Sequence, residues 1–386
     1  MRIIELFAGI GACSKALENL GIDLEIVDAV EIDKYAMASF NAIHGTNFEP
    51  QDIIKWDKDF KDIDIITHGS PCQDFSVAGK QAGGDIGSGT RSSLMYETIR
   101  IVGKIRPKYV LWENVKNLLS KKHKHNFDAY IEIMNILGYN SYYQVLNAKD
   151  YGIPQNRERV YTISIRKDID NCKFEFPQKE GLKLRLKDLL ENEVDEKYYL
   201  KDYQIENIKK SNFMVNKRRI QDKDYCDTLC ARDWKDPKCV QVGMLDIKGH
   251  DCVKRVYSGE GVSPTLTDMQ GGNRQPKILE EGKEVINPLK GKTNYGWHFE
   301  QNVYDTNGCT RSLKAGEGSG NIPKAIISDI RIRKLTPKEC WRLMGFTDED
   351  FERAKNIPTS NTQLYKQAGN SIVVKVLEKI FYDLFD

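Results

Sequence analysis

Six short apolar runs, separated by segments of helical periodicity, fill the first 170 residues and constrain the fold more than any other feature. Arg2–Phe7, Leu24–Val30, Ile63–Thr67, Tyr109–Trp112, Tyr142–Asn147 and Val160–Ile165 have the length and side chains of strands. Ala12–Leu20, Leu94–Ile105 and Asn126–Leu137 space their apolar residues as helices do. Strand alternating with helix predicts a mainly parallel sheet covered on both faces, a doubly wound α/β domain. Regular structure returns at the C-terminus. Thr336-Pro337-Lys338-Glu339 carries an N-cap, a first-turn proline and an acid three residues after the cap, which predicts a helix to Met344. Ser371–Phe385 reads as a last amphipathic helix, expected to pack beside the first strand.

The middle of the chain has a different texture. Lys173–Asp224 is polar and lysine-rich, and Lys209, Lys210, Lys217, Arg218, Arg219 and Lys223 form a basic cluster. Such a cluster is either a solvated face or a nucleic-acid contact. A weak repeat follows. Asp227-Thr228-Leu229, Pro264-Thr265-Leu266-Thr267 and Thr310-Arg311-Ser312-Leu313 each lead to a Pro-Lys pair, at 237–238, 276–277 and 323–324. The last two copies enclose the glycine turns at 271–272 and 316–320. Each unit predicts a β-hairpin with a polar tip. The expected division is 1–172 for a catalytic and ligand-binding domain, 173–329 for a smaller, mostly β domain, and 330–386 for a return to the first.

With 386 residues and 40% hydrophobic content the chain can bury a large core. The 58 basic and 56 acidic side chains give a net charge of +2, so overall charge does not announce a nucleic-acid partner. No window approaches the roughly 18 apolar residues of a membrane span. Nine irregularly spaced cysteines argue for a reduced, intracellular protein rather than a disulfide framework. Cys226, Cys230, Cys239 and Cys252 lack the paired spacing of a zinc site, and no structural metal is expected.

Chemistry-bearing residues gather at strand ends, where open α/β sheets bind ligands. Phe7-Ala8-Gly9-Ile10-Gly11 links the first strand to a helix and brings backbone close to a ligand. Glu31 ends the second strand, where an acid can accept from ribose hydroxyls, and Asp52 is a second acid one unit later. Either could equally be an exposed loop carboxylate. Gly69-Ser70-Pro71-Cys72-Gln73-Asp74-Phe75-Ser76 follows the third strand directly, so Cys72 is placed as a nucleophile although most lone cysteines are inert. The glycine-rich segment Ala78–Ser93 has a lid's composition. Glu113 ends the fourth strand, and Arg157 and Arg159, two apart, would share one face of an extended segment.

Six segments in this order, FAGIG at 7–11, GSPCQDFS at 69–76, ENV at 113–115, QNRER at 155–159, RKLTPKECWRLMGF at 333–346 and QAGNS at 367–371, resemble the DNA cytosine-5 methyltransferase family of bacterial or phage type. The resemblance spans nearly the whole chain. It implies the fold of S-adenosylmethionine-dependent methyltransferases, with residues of about 175–328 as a target recognition region. It implies a cofactor pocket of Phe7, Gly9, Ile10, Gly11, Glu31, Ile32, Asp52, Ile53, Pro71, Leu94, Asn370 and Ser371. It makes Cys72 the nucleophile, Glu113 the grip on the cytosine ring, and Arg157 and Arg159 holders of base and phosphate. Gln73, Ser76, Thr265 and Arg311 are the expected DNA contacts. Ala78 stands where some relatives carry a polar side chain, which leaves the residue filling the flipped base's gap undefined. S-adenosylmethionine would be the methyl donor and duplex DNA the partner, for a cytoplasmic, nucleoid-associated monomer that could work beside a restriction endonuclease. Two rivals stay open: an RNA cytosine-5 methyltransferase and a catalytically silent DNA-binding relative.

Overall fold

The computed structural model describes residues 1–71, 91–199 and 330–386 and, between the last two spans, short strands at 241–244, 255–258, 263–264, 277–281, 303–305 and 324–326. Its centre is a six-stranded sheet of β1 (Arg2–Leu6), β2 (Glu25–Val30), β3 (Ile65–His68), β4 (Tyr109–Val115), β5 (Tyr139–Asn147) and β7 (Glu158–Arg166), in the order β2-β1-β3-β4-β7-β5. Contacts between β1, β2, β3 and β4 are parallel. β7 runs antiparallel to both β4 and β5. One reversed strand in a mainly parallel sheet follows from the tight return after β5. Only α-turn-length chain, Ala148–Tyr151 and the short strand β6 (Gln155–Asn156), separates β5 from β7, too little for a parallel crossover.

Alternation along the strands builds two cores. Ile3, Ile65, Leu111 and Ile163 face one side and Ile4, Ile66, Val110 and Trp112 the other. The second side is covered by α3 (Met95–Ile105) and α4 (Lys124–Ile136). The first is covered by α1 (Ala12–Asn19) and the C-terminal helices α5 (Pro337–Arg342), α6 (Asp348–Lys355), α7 (Asn361–Asn370) and α8 (Val374–Phe385). α8 buries Val374, Val376, Leu377, Ile380 and Phe381 and packs chiefly against α1. Each such side chain contributes about 1.5–3 kcal/mol. The predicted cap at Thr336 is present: its hydroxyl accepts from the Glu339 amide while the Glu339 carboxylate accepts from the Thr336 amide.

Two elements differ from expectation. Lys34–His44 forms α2, capped by the Asp33 carboxylate and closed by Gly45 at φ +66°. In the middle region, β8 (Gln241–Met244) pairs antiparallel with the next strand, β9 (Arg255–Ser258), as in a hairpin, while other strands take distant partners. β10 (Ser263–Pro264) pairs in parallel with β6, whereas β11 (Lys277–Glu281) joins β14 (Ile330–Lys334) antiparallel and β9 (Arg255–Ser258) in parallel. β12 (Val303–Asp305) and β13 (Lys324–Ile326) also pair in parallel. Most of each predicted unit lies outside the described residues; the described ends of the second, β10 and β11, take partners other than each other. The tips of those units, the basic cluster and Cys226, Cys230, Cys239 and Cys252 lie outside the described residues.

Two chain segments crossing between the regular body and the middle region are tied together. Arg333 and Glu339, both fully buried, form a two-pronged ion pair at 2.8 Å, and Glu339 also accepts from the Glu191 amide at 2.9 Å.

Candidate active site

β1 ends in a turn whose backbone is left-handed at Phe7 (φ +54°), Gly9 (φ +57°) and Gly11 (φ +81°). The two glycines serve different ends. A Cβ on Gly11 would collide with the His44 imidazole and lie 2.9 Å from the Phe40 ring, so this glycine is demanded by α2 packing beneath the turn. A Cβ on Gly9 would meet nothing within 4 Å, so the space over Gly9 is open to a ligand. Ile10 is buried in the core, which leaves its backbone as the part that can meet a ligand.

Glu31 stands at the end of β2 beside that turn. One carboxylate oxygen accepts from the Gly9 amide at 3.0 Å and the other from the Asp33 amide at 2.8 Å. Burial pushes its carboxyl up, offset in part by those two amides. Next to it Ile32 is 70% exposed, and Ile54, in the loop carrying Asp52, is 60% exposed. A large apolar side chain in the open beside a half-buried carboxylate suits a flat heteroaromatic ring joined to a sugar diol. Asp52 is spent in part on its own turn, accepting from the Ile54 amide at 3.0 Å. The Ile53 side chain points into the core. Leu94 packs partly buried against the same core. Asn370 is exposed and Ser371 is buried at the end of α7.

Glu113, at the carboxyl end of β4, shares the first face of the sheet with Leu111, and Arg157 and Arg159 lie on the matching face of β6–β7. Arg159 Nε lies 3.1 Å from Glu113 Oε1, a charge contact whose angle falls short of a hydrogen bond. Among the described residues that carboxylate oxygen accepts no hydrogen bond. Arg157 is directed elsewhere: it donates to the Gly369 carbonyl at 3.3 Å and the Ser371 carbonyl at 2.8 Å. It therefore ties the end of α7 to the strand bearing Arg159. Gly69 runs past Glu113, its absent Cβ position being 3.9 Å from Glu113 Oε2. Ser70, next along, is held by Trp112 Nε1 at 3.0 Å and by Asn114 through its carbonyl at 3.3 Å.

The sequence model of the C-5 cytosine-specific DNA methylase family matches residues 1–386. The chain belongs to this family. The orphan methyltransferase M.SPBetaI of Bacillus phage SPbeta is 37% identical, over all of this chain and 97% of its own length. The type II methyltransferase M.HhaI of Haemophilus parahaemolyticus is 33% identical, over all of this chain and 94% of its own. Among solved structures, the Entamoeba histolytica methyltransferase EhMeth matches with a TM-score of 0.62 at 15% identity, covering all of this chain and 98% of its own. The S. pombe Dnmt2 methyltransferase matches with 0.59 at 18%, covering both chains fully. At these identities the structures establish the methyltransferase fold alone.

For a family member, the described residues bring Phe7, Gly9, Ile10, Gly11, Glu31, Ile32, Asp52 and Ile53 to one edge of the sheet, and Glu113 and Arg159 together beside Gly69–Pro71. Cys72, Gln73, Ser76, Thr265 and Arg311 lie outside the described residues, although Pro71 precedes the first and β10 runs directly up to Thr265. The sequence assigned no role to Ser70, Trp112 and Asn114, and none to Asp28 and Arg100, which bond the loop carrying Asp52. An acid inside an apolar strand, such as Asp28, was the available signal. Among the described residues no helix is long and apolar enough to cross a membrane, and no cluster of metal-binding side chains occurs.

Proposed function

We propose that the protein methylates carbon 5 of cytosine within a specific duplex DNA sequence, with S-adenosylmethionine as donor and Cys72 as nucleophile. The observation that carries this reading is the Glu113–Arg159 contact at 3.1 Å beside Gly69, in a chain of this family. Cys72 is three residues beyond Gly69, and three residues of chain reach at most about 10 Å. A base seated against Glu113 is thus within reach of the sulfur.

Residues 1–172 and 330–386 would form the catalytic body and 173–329 the target recognition domain, with DNA between them. The target base must leave the stack, at a few kcal/mol that phosphate contacts offset. Cys72, as thiolate, adds to ring carbon 6, and the carbon 5–carbon 6 electron pair shifts to carbon 5. Glu113 meets ring nitrogen 3 and shares a proton with it, which stabilises charge as the adduct forms. Arg159 holds the Glu113 carboxylate in place and donates to the base carbonyl. S-adenosylmethionine would be held by the Gly9 backbone, Glu31, Ile32 and the Asp52–Ile53 loop, and would supply an electrophilic methyl group. Carbon 5 takes that methyl as S-adenosylhomocysteine departs with the electron pair of the broken sulfur–carbon bond, water removes the carbon 5 proton, and the Cys72 sulfur leaves carbon 6 with its electron pair.

Cys72→Ala should leave S-adenosylhomocysteine binding within about twofold of wild type while transfer of labelled methyl to duplex DNA drops by at least about 10³-fold, the scale on which a covalent nucleophile matters. Undiminished transfer by that variant, or transfer by the wild type to RNA in place of DNA, would refute the reading.

A further inference from the structure

The segment from Gly45 to Asp64 that joins α2 to β3 contains no helix or strand, yet it carries Asp52 and Ile53. Backbone pairing gives it little support: the Gln51 amide donates to the Glu31 carbonyl at 2.8 Å, and a short turn follows with Lys55 donating to Asp52. Its order must come from side chains.

Asn41 holds the loop's first residues, at Thr46 and Phe48, and Asp28 orders its centre, from Gln51 to Lys58. Asp28 sits in β2, only 1% exposed. A carboxylate so buried needs partners. Three of them come from this loop. Gln51 Nε2 donates to Oδ1 at 2.8 Å, and Trp56 Nε1 and Lys58 Nζ donate to Oδ2, each at 2.8 Å. The Gln51 amide group also donates to the Ala29 carbonyl at 2.8 Å. A second charged group works from the opposite side. Arg100 of α3 donates to the Ile53 carbonyl at 3.1 Å and the Trp56 carbonyl at 2.9 Å, and Glu97 steadies it at 2.8 Å. Trp56 and Ile53 are thereby seated in the core, and Ile54, next to Ile53 in the chain, is 60% exposed.

We propose that Asp28 is a positioning residue that sets the adenine-facing wall of the methyl-donor pocket, acting through Gln51, Trp56 and Lys58. The inference rests on the assignment of that pocket to S-adenosylmethionine made above. It assigns no contact between Asp28 and the donor. It separates Asp28 from a residue that merely stabilises the fold, because the three side chains it anchors bracket Asp52 and Ile53 in the chain. Loosening that wall should weaken the donor and spare the rest.

The test compares wild type, Asp28→Asn and Trp56→Phe, the last keeping an aromatic ring and deleting one donor. Calorimetry reads S-adenosylhomocysteine affinity, and steady-state kinetics reads KM for S-adenosylmethionine, KM for DNA and kcat at saturating donor. In Asp28→Asn the donor-side Kd and KM should rise about tenfold, the scale of a lost hydrogen bond to a charged group. In Trp56→Phe they should rise about threefold to fivefold. KM for DNA and kcat should stay within about twofold in both. Unchanged donor affinity in a folded variant overturns the proposal, as does a parallel loss in donor and DNA parameters. If Asp28→Asn does not fold, Trp56→Phe decides by the same criteria. Failure of the wild type to bind S-adenosylhomocysteine would strike the functional reading instead, so the two failures are distinguishable.

Discussion

At the scale of single residues, the two glycines after β1 show how one motif serves two purposes. Both have left-handed backbone, so a side chain at either is strained by about 1–2 kcal/mol. Gly11→Ala adds a collision with His44 and Phe40 and should lower the melting temperature sharply. Gly9→Ala should be folded, with a smaller loss of stability and a larger loss of S-adenosylhomocysteine affinity. Calorimetric scans and titrations on the pair check this, and equal effects in both would contradict the division. His68 offers a second test. It is fully buried, stacked on Trp112 with ring centres 5.5 Å apart, and within 3.1 Å of the Tyr130 hydroxyl. Burial holds its imidazole down at about 3, against 6.5 when unfolded. The unfolded state therefore binds the extra proton first. Stability is complete above pH 6.5 and falls as pH drops towards 3, by about 1.4 kcal/mol per unit from this residue. Urea denaturation between pH 7 and 4.5 should show a slope one proton shallower in His68→Gln than in wild type. Identical slopes would remove His68 from the account.

At the scale of elements, the strands of the sheet and the helices α1, α3 and α4 could be read from periodicity, because β-branched runs and apolar spacing act locally. The helix start at Thr336 was legible for the same reason. Direction was not: Val160–Ile165 alternates as either a parallel or an antiparallel strand would, and only the short return after β5 decides. Lys34–His44 went unread although Ala36, Met37, Phe40 and Ile43 have helical spacing, and its cap, Asp33, also bonds Lys366 from α7. The candidate site was legible as a set of strand ends. The holding of its loops was not, since Asp28 meets Trp56 and Arg157 meets Ser371 only in the folded chain. The Arg333–Glu339 pair joins the linking segments in the same long-range way. Removing one partner strands a buried charge, so Glu339→Gln should destabilise by about 3–5 kcal/mol in denaturant titrations. A change below about 1 kcal/mol would mean the pair is not what fixes the junction.

At the scale of the whole molecule, the parallel strands β1–β4 end on the same side of the sheet, where the proposed donor and base pockets lie. The first face of the sheet carries Glu113 and Arg159 under the C-terminal helices, and the turn after β1 opens next to Glu31. On the proposed function, that arrangement would bring residues 7, 31, 113 and 159, distant in the chain, to one reaction. It also gives the C-terminal return its purpose: Arg157 grips the end of α7 and Gln155 donates to the Leu343 carbonyl at 2.9 Å. The covalent step at Cys72 is the claim on which this joint use of the two pockets depends. Incubating the full chain with S-adenosylmethionine and duplex DNA bearing 5-fluorocytosine at the methylated position tests it most directly, because fluorine cannot leave as a proton would. The account expects an adduct that survives denaturation, with mass spectrometry of the digest placing the nucleotide on the Cys72 sulfur. An adduct on another residue, or none while unmodified DNA is methylated at full rate, would contradict it.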